Sequence, residues 1–333
     1  MPFDRKTPMR FRVQWTPHEL AEESTIDMSF LTTIKTWFIR LFLLGLFATA
    51  LILCFFGYLW WYYSPQVTRT NGVVYGKRGN APLTMDILQP SSPNGKAIAF
   101  MVSGGWKSQK AGAPPAWMMA PLLRRGYTIF AICHVSQPDS TVMEIIEDMN
   151  RGIRFIRHHA NDYKIDPKRI GVTGGSAGGH LSLMLATRGC PGPEQAEDPI
   201  DRQSSEVQAV AIFYPVTDLL NLGDSTENPG DGGPPKSFVK AFGPGALIME
   251  QWKQIGADCS PIYHIDEQLP PTLIYHGDAD TLVPLDQSLR FQEKAIEQKR
   301  EVKVVVHRKG GHGWPSMILD IEQFGDWFDK HLK

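Results

Sequence analysis

The 333-residue chain is 42% hydrophobic, which is enough to bury a large core. Its 34 basic and 35 acidic residues give a formal net charge of −1, which argues against a basic face for nucleic acid. The cysteines at positions 54, 133, 190 and 259 form no CxxC pair, which argues against a zinc knuckle or a thioredoxin-type site. An oxidising compartment would allow Cys190 and Cys259 to pair.

The first predicted element is an apolar helix over residues 41–63, LFLLGLFATALILCFFGYLWWYY, which contain no charged side chain. A helix of this length spans about 35 Å, enough to cross a hydrocarbon core of about 30 Å. Trp37 precedes it, and aromatic residues at 60–63 end it, as in an interfacial belt. We predict a tail over 1–40, a transmembrane signal-anchor over 41–63 and a linker over 64–70.

A cleaved signal peptide is the alternative, because the Ala-Thr-Ala at 48–50 has the small-x-small pattern of a cleavage site. The long segment before the apolar run and the apolar residues after 50 favour the uncleaved anchor. Lys35 and Arg40 lie closer to the span than Arg69 does on the other side, which favours a cytoplasmic N-terminus. We therefore expect a single-pass membrane protein whose catalytic domain is extracytoplasmic, either periplasmic or extracellular. The absence of an Asn-x-Ser/Thr sequon is consistent with a bacterial setting.

Residues 71–333 alternate strand and helix patterns. Alternating residues at 73–75 and 83–88 predict an antiparallel hairpin. Continuous apolar runs predict strands buried on both faces at 97–102, 127–133, 169–173, 208–214, 272–276 and 302–307. Amphipathic periodicity or local pattern predicts helices at 141–163, 177–187, 287–298 and 318–331. This order predicts an α/β fold with an open, mostly parallel sheet and helices on both faces.

One region interrupts the alternation. Residues 188–260 are rich in proline, glycine and acidic side chains, which predicts a loop-rich insertion in the domain. Both a solvated insertion and a partial lid over a pocket fit this composition.

The segment Gly174-Gly175-Ser176-Ala177-Gly178 matches G-x-S-x-G, directly after a predicted strand and directly before a predicted helix. This strand–turn–helix context is typical of a nucleophile elbow. Gly174 and Gly178 are expected to be glycines because side chains there would clash with the neighbouring strand and helix. We therefore predict that Ser176 is a catalytic nucleophile.

A serine nucleophile requires a base and an acid that orients the base. After a nucleophile elbow, the acid should come first along the chain and the histidine second, each just after a later strand. HGDADTLVP follows the strand at 272–276, and GGHGW follows the strand at 302–307. Asp280 is the candidate acid and His312 the candidate base, with Asp278 competing for the acid role. A calcium loop starting at Asp278 fails, because valine and leucine stand at its sixth and twelfth positions. We interpret four other histidines as structural: His134, His180, His264 and His307.

The reaction also requires hydrogen-bond donors for a developing oxyanion. The amide of Ala177 at the start of the elbow helix is one candidate. The loop SGGW at 103–106 follows the predicted strand at 97–102, and Gly104, Gly105 and Trp106 supply the other candidate amides. The Trp106 side chain is either a pocket wall or part of the core.

These features resemble the α/β-hydrolase superfamily, in particular the carboxylesterase and lipase branch with an HGGxW-type loop. That branch includes feruloyl and acetylxylan esterases and kynurenine formamidases. The similarity spans roughly residues 72–332 and is carried by the segments YGKRGNAPLTMDILQP, VSGGWKS, YKIDPKRIGVTGGSAGGHLSLMLA, CSPIYHID, PPTLIYHGDADTLVP and GGHGW. The resemblance implies an α/β-hydrolase fold, with Ser176, Asp280 and His312 as the catalytic triad. Ser103 departs from the histidine that usually begins the loop, which bears on substrate class more than on chemistry.

We therefore expect a membrane-anchored serine hydrolase that cleaves small acyl or acetyl esters, including esters of carbohydrates. This chemistry requires neither a metal nor an organic cofactor. Expected partners are a small-molecule or carbohydrate ester and the membrane, reached through residues 41–63; the sequence leaves the oligomeric state open. One alternative is an amide or formamide hydrolase, or a small prolyl-oligopeptidase-like peptidase without its propeller. Another is an inactive hydrolase fold that serves as a binding module.

Overall fold

The computed structural model describes residues 28–333, and its first helix, α1, spans Met28–Tyr63. None of its residues is buried, and it is long and apolar enough to cross a membrane. The expected span over 41–63 occupies its C-terminal part, whereas the predicted tail over 1–40 falls partly on the helix and partly outside the described residues. The chain divides into two compact units after Trp60.

An eight-stranded sheet organises the unit that begins at Trp61. Its strands in chain order are β1 Val67–Arg78, β2 Ala81–Pro90, β3 Ala97–Met101, β4 Thr128–Ile132, β5 Ile170–Gly175, β6 Ala209–Phe213, β7 Thr272–Gly277 and β8 Val302–His307. Their order across the sheet is β1-β2-β4-β3-β5-β6-β7-β8. The β1–β2 and β2–β4 pairs are antiparallel, and all the others are parallel. The predicted hairpin and mostly parallel sheet are confirmed.

Helices cover both faces of this sheet. They are α2 Ala120–Arg124, α3 Val142–His158, α4 Ala177–Arg188, α5 Met249–Asp258, α6 Asp286–Glu297 and α7 Met317–His331. Two buried clusters result: α3, α4 and α6 contribute to one, and α2 and α7 contribute to the other. A capping box begins α3, since the Glu144 amide donates to Thr141 Oγ1 and the Glu144 carboxylate accepts from the Thr141 amide.

Three boundaries differ from the expectation. Residues 67–70 belong to β1 rather than to a linker, because they pair with residues 87–90 of β2. Two irregularities in the β1–β2 register interrupt the alternation that would have indicated the longer strand. Region 188–260 contains α5 besides its loops and the predicted strand β6, and Trp252 of α5 is fully buried. Finally, α3 ends at His158 instead of continuing to 163.

Two α-helices of the described residues had no sequence prediction: α2, with the 3₁₀ turn Ala116–Met119 before it, and α5. All four cysteines are free, so the pairing considered for Cys190 and Cys259 is not formed. Cys190 is exposed, whereas Cys259 is buried beneath α4 and α5.

Candidate active site

Ser176 lies at the sharp turn between β5 and α4. Its backbone has φ 55° and ψ −122°, a conformation that costs a non-glycine residue about 1–3 kcal/mol. A Cβ atom at Gly174 would lie 2.5 Å from the Gly178 carbonyl oxygen, and one at Gly178 would lie 2.6 Å from the Met101 carbonyl oxygen. Both positions therefore accept only glycine, and the close packing presents the Ser176 hydroxyl at the carboxyl edge of the sheet.

The structure brings Ser176, His312 and Asp280 into one hydrogen-bonded chain. His312 Nε2 lies 2.8 Å from Ser176 Oγ. His312 Nδ1 lies 2.7 Å from Asp280 Oδ2. Asp280 follows β7 and His312 follows β8, so neighbouring parallel strands deliver both side chains to the same edge. In this arrangement His312 can take a proton from the Ser176 hydroxyl, and Asp280 can stabilise the resulting imidazolium.

The two candidate aspartates occupy different environments. The Asp280 side chain is fully buried, and its Oδ1 accepts the amides of Leu282 and Val283, each at 3.0 Å. Burial raises the pKa of Asp280, but hydrogen bonding from histidine and from the Val283 amide outweighs burial and holds that pKa well below its usual range. Asp278 is exposed, and its Oδ1 accepts the Lys309 amide at 2.6 Å. Of the two aspartates, Asp280 contacts His312 and Asp278 does not.

The loop after β3 holds its backbone in an unusual shape. Gly105 and Trp106 have φ values of 54° and 55°. Among the described residues, no acceptor contacts their amides, and the Ala177 amide lies at the first position of α4, where a helix provides no partner. Gly104 is a correction: its amide donates to the Lys107 carbonyl at 3.0 Å, so it closes the turn and is not available as an oxyanion donor.

Trp106 combines both roles considered for it. Its side chain is 3% exposed and borders the cavity beside Ser176. Its Nε1 donates to His180 Nδ1 at 3.2 Å. His180 Nε2 in turn donates to the Cys259 carbonyl at 2.7 Å, and burial lowers the pKa of His180 to about 4. This neutral histidine is structural, as predicted, and it fixes the tryptophan beneath the loop.

His134 is a residue whose contact the sequence did not reveal. It follows β4, and its Nε2 lies 2.9 Å from Ser103 Oγ. Its Nδ1 donates to the Val135 carbonyl at 2.8 Å, so Nε2 accepts the Ser103 hydroxyl proton. Burial lowers the pKa of His134 although the Val135 carbonyl opposes this, which keeps the ring neutral. The Ser103 carbonyl also accepts the Gly178 amide at 3.1 Å, so Ser103 ties the loop to α4.

We expect Ser103→Ala to lower kcat by about tenfold with little change in KM, because the loop amides act on the transition state. The control is Ser205→Ala, at a fully buried serine whose Oγ accepts the Cys190 amide at 3.1 Å and which lines neither cavity at Ser176. Each variant should lose about 1 kcal/mol of stability, measured by denaturant unfolding, but only Ser103→Ala should lose kcat. Equal kcat values for the two variants would contradict the role of Ser103.

Two further residues border the triad without a sequence signal. Tyr214 has φ 31°, and its ring centroid lies 4.5 Å from that of His312. His276 is fully buried, and its Nε2 lies 3.5 Å from Asp280 Oδ2 but donates to the nearer Val283 carbonyl at 2.7 Å. Tyr214 thus packs against the base of the triad, and His276 packs against its acid. His264 donates to the Asp258 carbonyl at 3.0 Å, and His307 stacks on Trp314 with centroids 4.6 Å apart, so both are structural.

Two cavities meet at Ser176. One is a pocket of about 70 Å³ on the Ala177 side, and the other is a cleft of about 920 Å³ on the His312 side. Segment 216–238 of the insertion covers the smaller pocket, where Phe238 packs edge-on against Trp106 at 5.4 Å. The lid interpretation of the insertion is therefore supported for this segment. The residues of this segment that line the smaller pocket are Val216, Leu219, Leu222, Ser225, Glu227, Pro235 and Phe238.

Comparisons with known proteins agree with this fold. The BD-FAE family model matches residues 85–295. Relatives include a probable carboxylic ester hydrolase, LipM, of Mycobacterium tuberculosis, 30% identical over 62% of this chain and 45% of its own length. Another is a probable isoprenylcysteine alpha-carbonyl methylesterase, ICMEL1, of Arabidopsis thaliana, 25% identical over 86% of this chain and 59% of its own length. The chain thus spans about half the length of these relatives.

Solved structures give the same assignment. A truncated carbohydrate esterase from gut microbiota superposes with a TM-score of 0.64 at 24% identity, over 80% of this chain and 96% of that one. An esterase from Thermogutta terrifontis, bound to butyrate, superposes with a TM-score of 0.58 at 26% identity, over 80% and 92%. Because the family model covers more than half of the sequence, the chain belongs to the BD-FAE family and has an α/β-hydrolase fold.

Proposed function

We propose that this protein is a serine hydrolase of carboxylic esters that uses Ser176, His312 and Asp280 as its catalytic triad. The observation that carries the proposal is the chain of contacts at 2.8 Å and 2.7 Å that joins the three side chains. The strained turn at Ser176 and the unpaired amides beside it support the same chemistry.

In the acylation step, Ser176 Oγ forms a bond with the ester carbonyl carbon while His312 Nε2 takes the hydroxyl proton. The amides of Ala177 and of Gly105 or Trp106 hold the oxyanion, and Asp280 stabilises the imidazolium. The carbon–oxygen bond to the alcohol then breaks. The proton on His312 passes to the leaving oxygen, so a neutral alcohol departs and the acyl group remains on Ser176.

In the deacylation step, His312 takes a proton from water as the water oxygen attacks the acyl carbon. The second tetrahedral intermediate collapses, the bond to Ser176 Oγ breaks, and the proton returns from His312 to Oγ. The product is a carboxylic acid. Every proton transfer runs through His312, and Asp280 stays ionised throughout because its pKa is held low.

The preferred acyl group in this proposal is short. Ala177 and Gly105 border the pocket of about 70 Å³, which has room for only a few non-hydrogen atoms. Acetyl esters, including those of carbohydrates, fit this limit, and one structural neighbour is a carbohydrate esterase. Residues 41–63 within α1 anchor the enzyme to a membrane in this proposal, with the catalytic unit outside the cytoplasm.

A pair of matched substrates tests the bond that is cleaved. We expect p-nitrophenyl acetate to be hydrolysed with a kcat/KM at least about a thousandfold above that of p-nitroacetanilide, because an anilide nitrogen is a far poorer leaving group than p-nitrophenolate and has to be protonated as it departs. A fluorophosphonate probe should label Ser176, identified by mass spectrometry of the labelled peptide. Faster cleavage of the anilide would favour an amide hydrolase, and absence of both labelling and hydrolysis would favour a binding module.

A further inference from the structure

The two cavities at Ser176 can be assigned to the two halves of an ester. His312 borders the cleft of about 920 Å³ but not the small pocket. In the proposed function, His312 returns its proton to the leaving alcohol, so the alcohol oxygen must lie on the cleft side. The acyl group is then left to the small pocket, which Ala177 borders, whereas Gly105 and Ser176 border both cavities. The larger cavity therefore receives the alcohol portion.

The wall of this cleft is apolar. Aromatic and aliphatic side chains come from the 3₁₀ turn before α2 and from the first two turns of α7, namely Trp117, Met118, Met119, Met317, Ile318 and Ile321. Trp117 is 51% exposed, which places an open apolar surface at the cleft. A wall of this composition gains free energy by covering hydrocarbon, at about 25 cal/mol per Å² buried.

The polar groups that line the cleft are mostly committed to the protein itself. The hydroxyl of Ser108 donates to the Val102 carbonyl at 2.8 Å, and that of Thr173 donates to the Ala211 carbonyl at 2.6 Å. The Ser103 hydroxyl donates to His134. Other polar groups at the cleft are the exposed side chains of Lys107 and Gln109, the indole nitrogen of the half-exposed Trp117, and the Tyr214 hydroxyl, which lies 3.6 Å from Met317 Sδ. A sugar alcohol would lose hydrogen bonds to water along most of this wall, whereas an alkyl chain would not.

The elements that form the wall also hold the chain where α1 ends. Arg124, the last residue of α2, donates to the Tyr62 carbonyl at 3.1 Å, and its guanidinium lies 4.1 Å from the ring centroid of Trp61. Glu322, next to Ile321 on α7, accepts the Tyr62 hydroxyl. Residues 61 and 62 end the apolar run that the proposed function assigns to the membrane, and aromatic residues of this kind lie at the interface. The elements that form the wall of the cleft thus also contact the last residues of that apolar run.

We propose that the cleft binds the apolar alcohol portion of a lipid-like ester drawn from the membrane, while the small pocket holds its short acyl group. This inference rests on the proposed function. The reaction is the one already described: the bond from the acyl carbon to the alcohol oxygen breaks, the alcohol leaves with the proton from His312, and water supplies the oxygen of the carboxylic acid.

The test uses the full chain reconstituted in phosphatidylcholine vesicles. Straight-chain acetates from ethyl to decyl are compared with the methyl esters of acids of equal carbon number. We expect kcat/KM to rise along the acetate series by about threefold for each methylene that becomes buried, and to fall along the methyl ester series. An acetylated xyloside should be a poorer substrate than decyl acetate. A flat acetate series, a preference for long acids or a preference for the xyloside would each overturn the assignment.

A variant of the wall localises the effect. Ile318→Asp should lower the ratio of kcat/KM for decyl acetate over ethyl acetate by about tenfold, because a carboxylate opposes an alkyl chain in an apolar wall. Ile318→Trp fills the same space without a charge and should lower the ratio in the same direction. Ile296→Asp is the control, since Ile296 is 60% exposed on α6 and does not line the cleft. A ratio unchanged in both Ile318 variants would overturn the inference.

The same assay separates the two levels of the proposal. Hydrolysis of ethyl acetate with labelling of Ser176, but without dependence on alcohol length, would overturn only the assignment of the cleft. Hydrolysis of no ester and no labelling would overturn the proposed function as well.

Discussion

Replacing Ser176 by alanine should lower kcat for p-nitrophenyl acetate by about five orders of magnitude or more, because the covalent step then has no nucleophile. The hydroxyl lost is the one that lies 2.8 Å from His312 Nε2. Alanine keeps the Cβ atom and the φ of 55°, so the strain of the turn is retained and unfolding should change by less than about 1 kcal/mol. Steady-state hydrolysis and thermal unfolding of the purified variant check both parts.

Two observations make this result decisive. A fluorophosphonate probe should label the natural chain and not Ser176→Ala, whereas Ser205→Ala should be labelled as the natural chain is. Residual hydrolysis within about a hundredfold of the natural rate would mean that another group attacks the ester, because water with the oxyanion donors alone gives far less. In that event the contact of His312 with Ser176 would be incidental.

The sequence predicted the site well where a single segment carries the information. Ser176, Asp280 and His312 each follow a continuous apolar strand, and parallel strands bring their carboxyl ends to one edge of a sheet. The proximity of these three side chains then follows from the fold, because their strands β5, β7 and β8 are parallel. The glycine at 174 was predictable for the same reason, since a Cβ atom there would clash with the Gly178 carbonyl within the turn itself. The glycine at 178 is instead required by the Met101 carbonyl of the neighbouring strand β3.

Contacts between segments far apart in the sequence could not be predicted from local patterns. His134 reaches Ser103 only because β4 lies beside β3 in the sheet, with β2 on its other side, and no local pattern encodes this order. The loss of histidine at 103 was visible in the sequence, but the histidine that contacts Ser103 from another strand was not. Likewise, composition could not tell which loop amides are free: Gly104 bonds to Lys107, whereas Gly105 and Trp106 do not.

Short and irregular elements were missed in the sequence analysis for a different physical reason. The 3₁₀ turn Ala116–Met119 and the short α2 are too brief for a helical period, although they form one wall of the cleft. The start of β1 was assigned to a linker because register irregularities break the two-residue alternation. Both segments lie near the residues on which the proposed apolar alcohol rests, whereas the expectation of acetylated sugars came from the family resemblance.

Replacing Asp280 by asparagine should lower kcat by about four orders of magnitude. The asparagine oxygen can accept the amides of Leu282 and Val283, as Asp280 Oδ1 does now, which turns the NH₂ group toward His312 Nδ1. Nδ1 must then accept a hydrogen bond, so the ring proton moves to Nε2 and the imidazole can no longer take a proton from Ser176. Asp278→Asn should change kcat by less than about threefold, because an asparagine oxygen still accepts the Lys309 amide.

Stability measured against pH distinguishes the two carboxylates independently of activity. Folding lowers the pKa of Asp280, so its carboxylate stabilises the fold above the unfolded pKa of about 3.9, and this contribution is lost as the pH falls through that value toward the lower folded pKa. The natural chain and Asp278→Asn should therefore lose stability together below about pH 4, whereas Asp280→Asn should lose less over that range. If Asp278→Asn instead showed the large loss of kcat and the flatter pH profile, the two aspartates would exchange roles. Because Asp280 contacts His312 and Asp278 does not, that exchange would require the loop at 278–284 to rearrange around the imidazole.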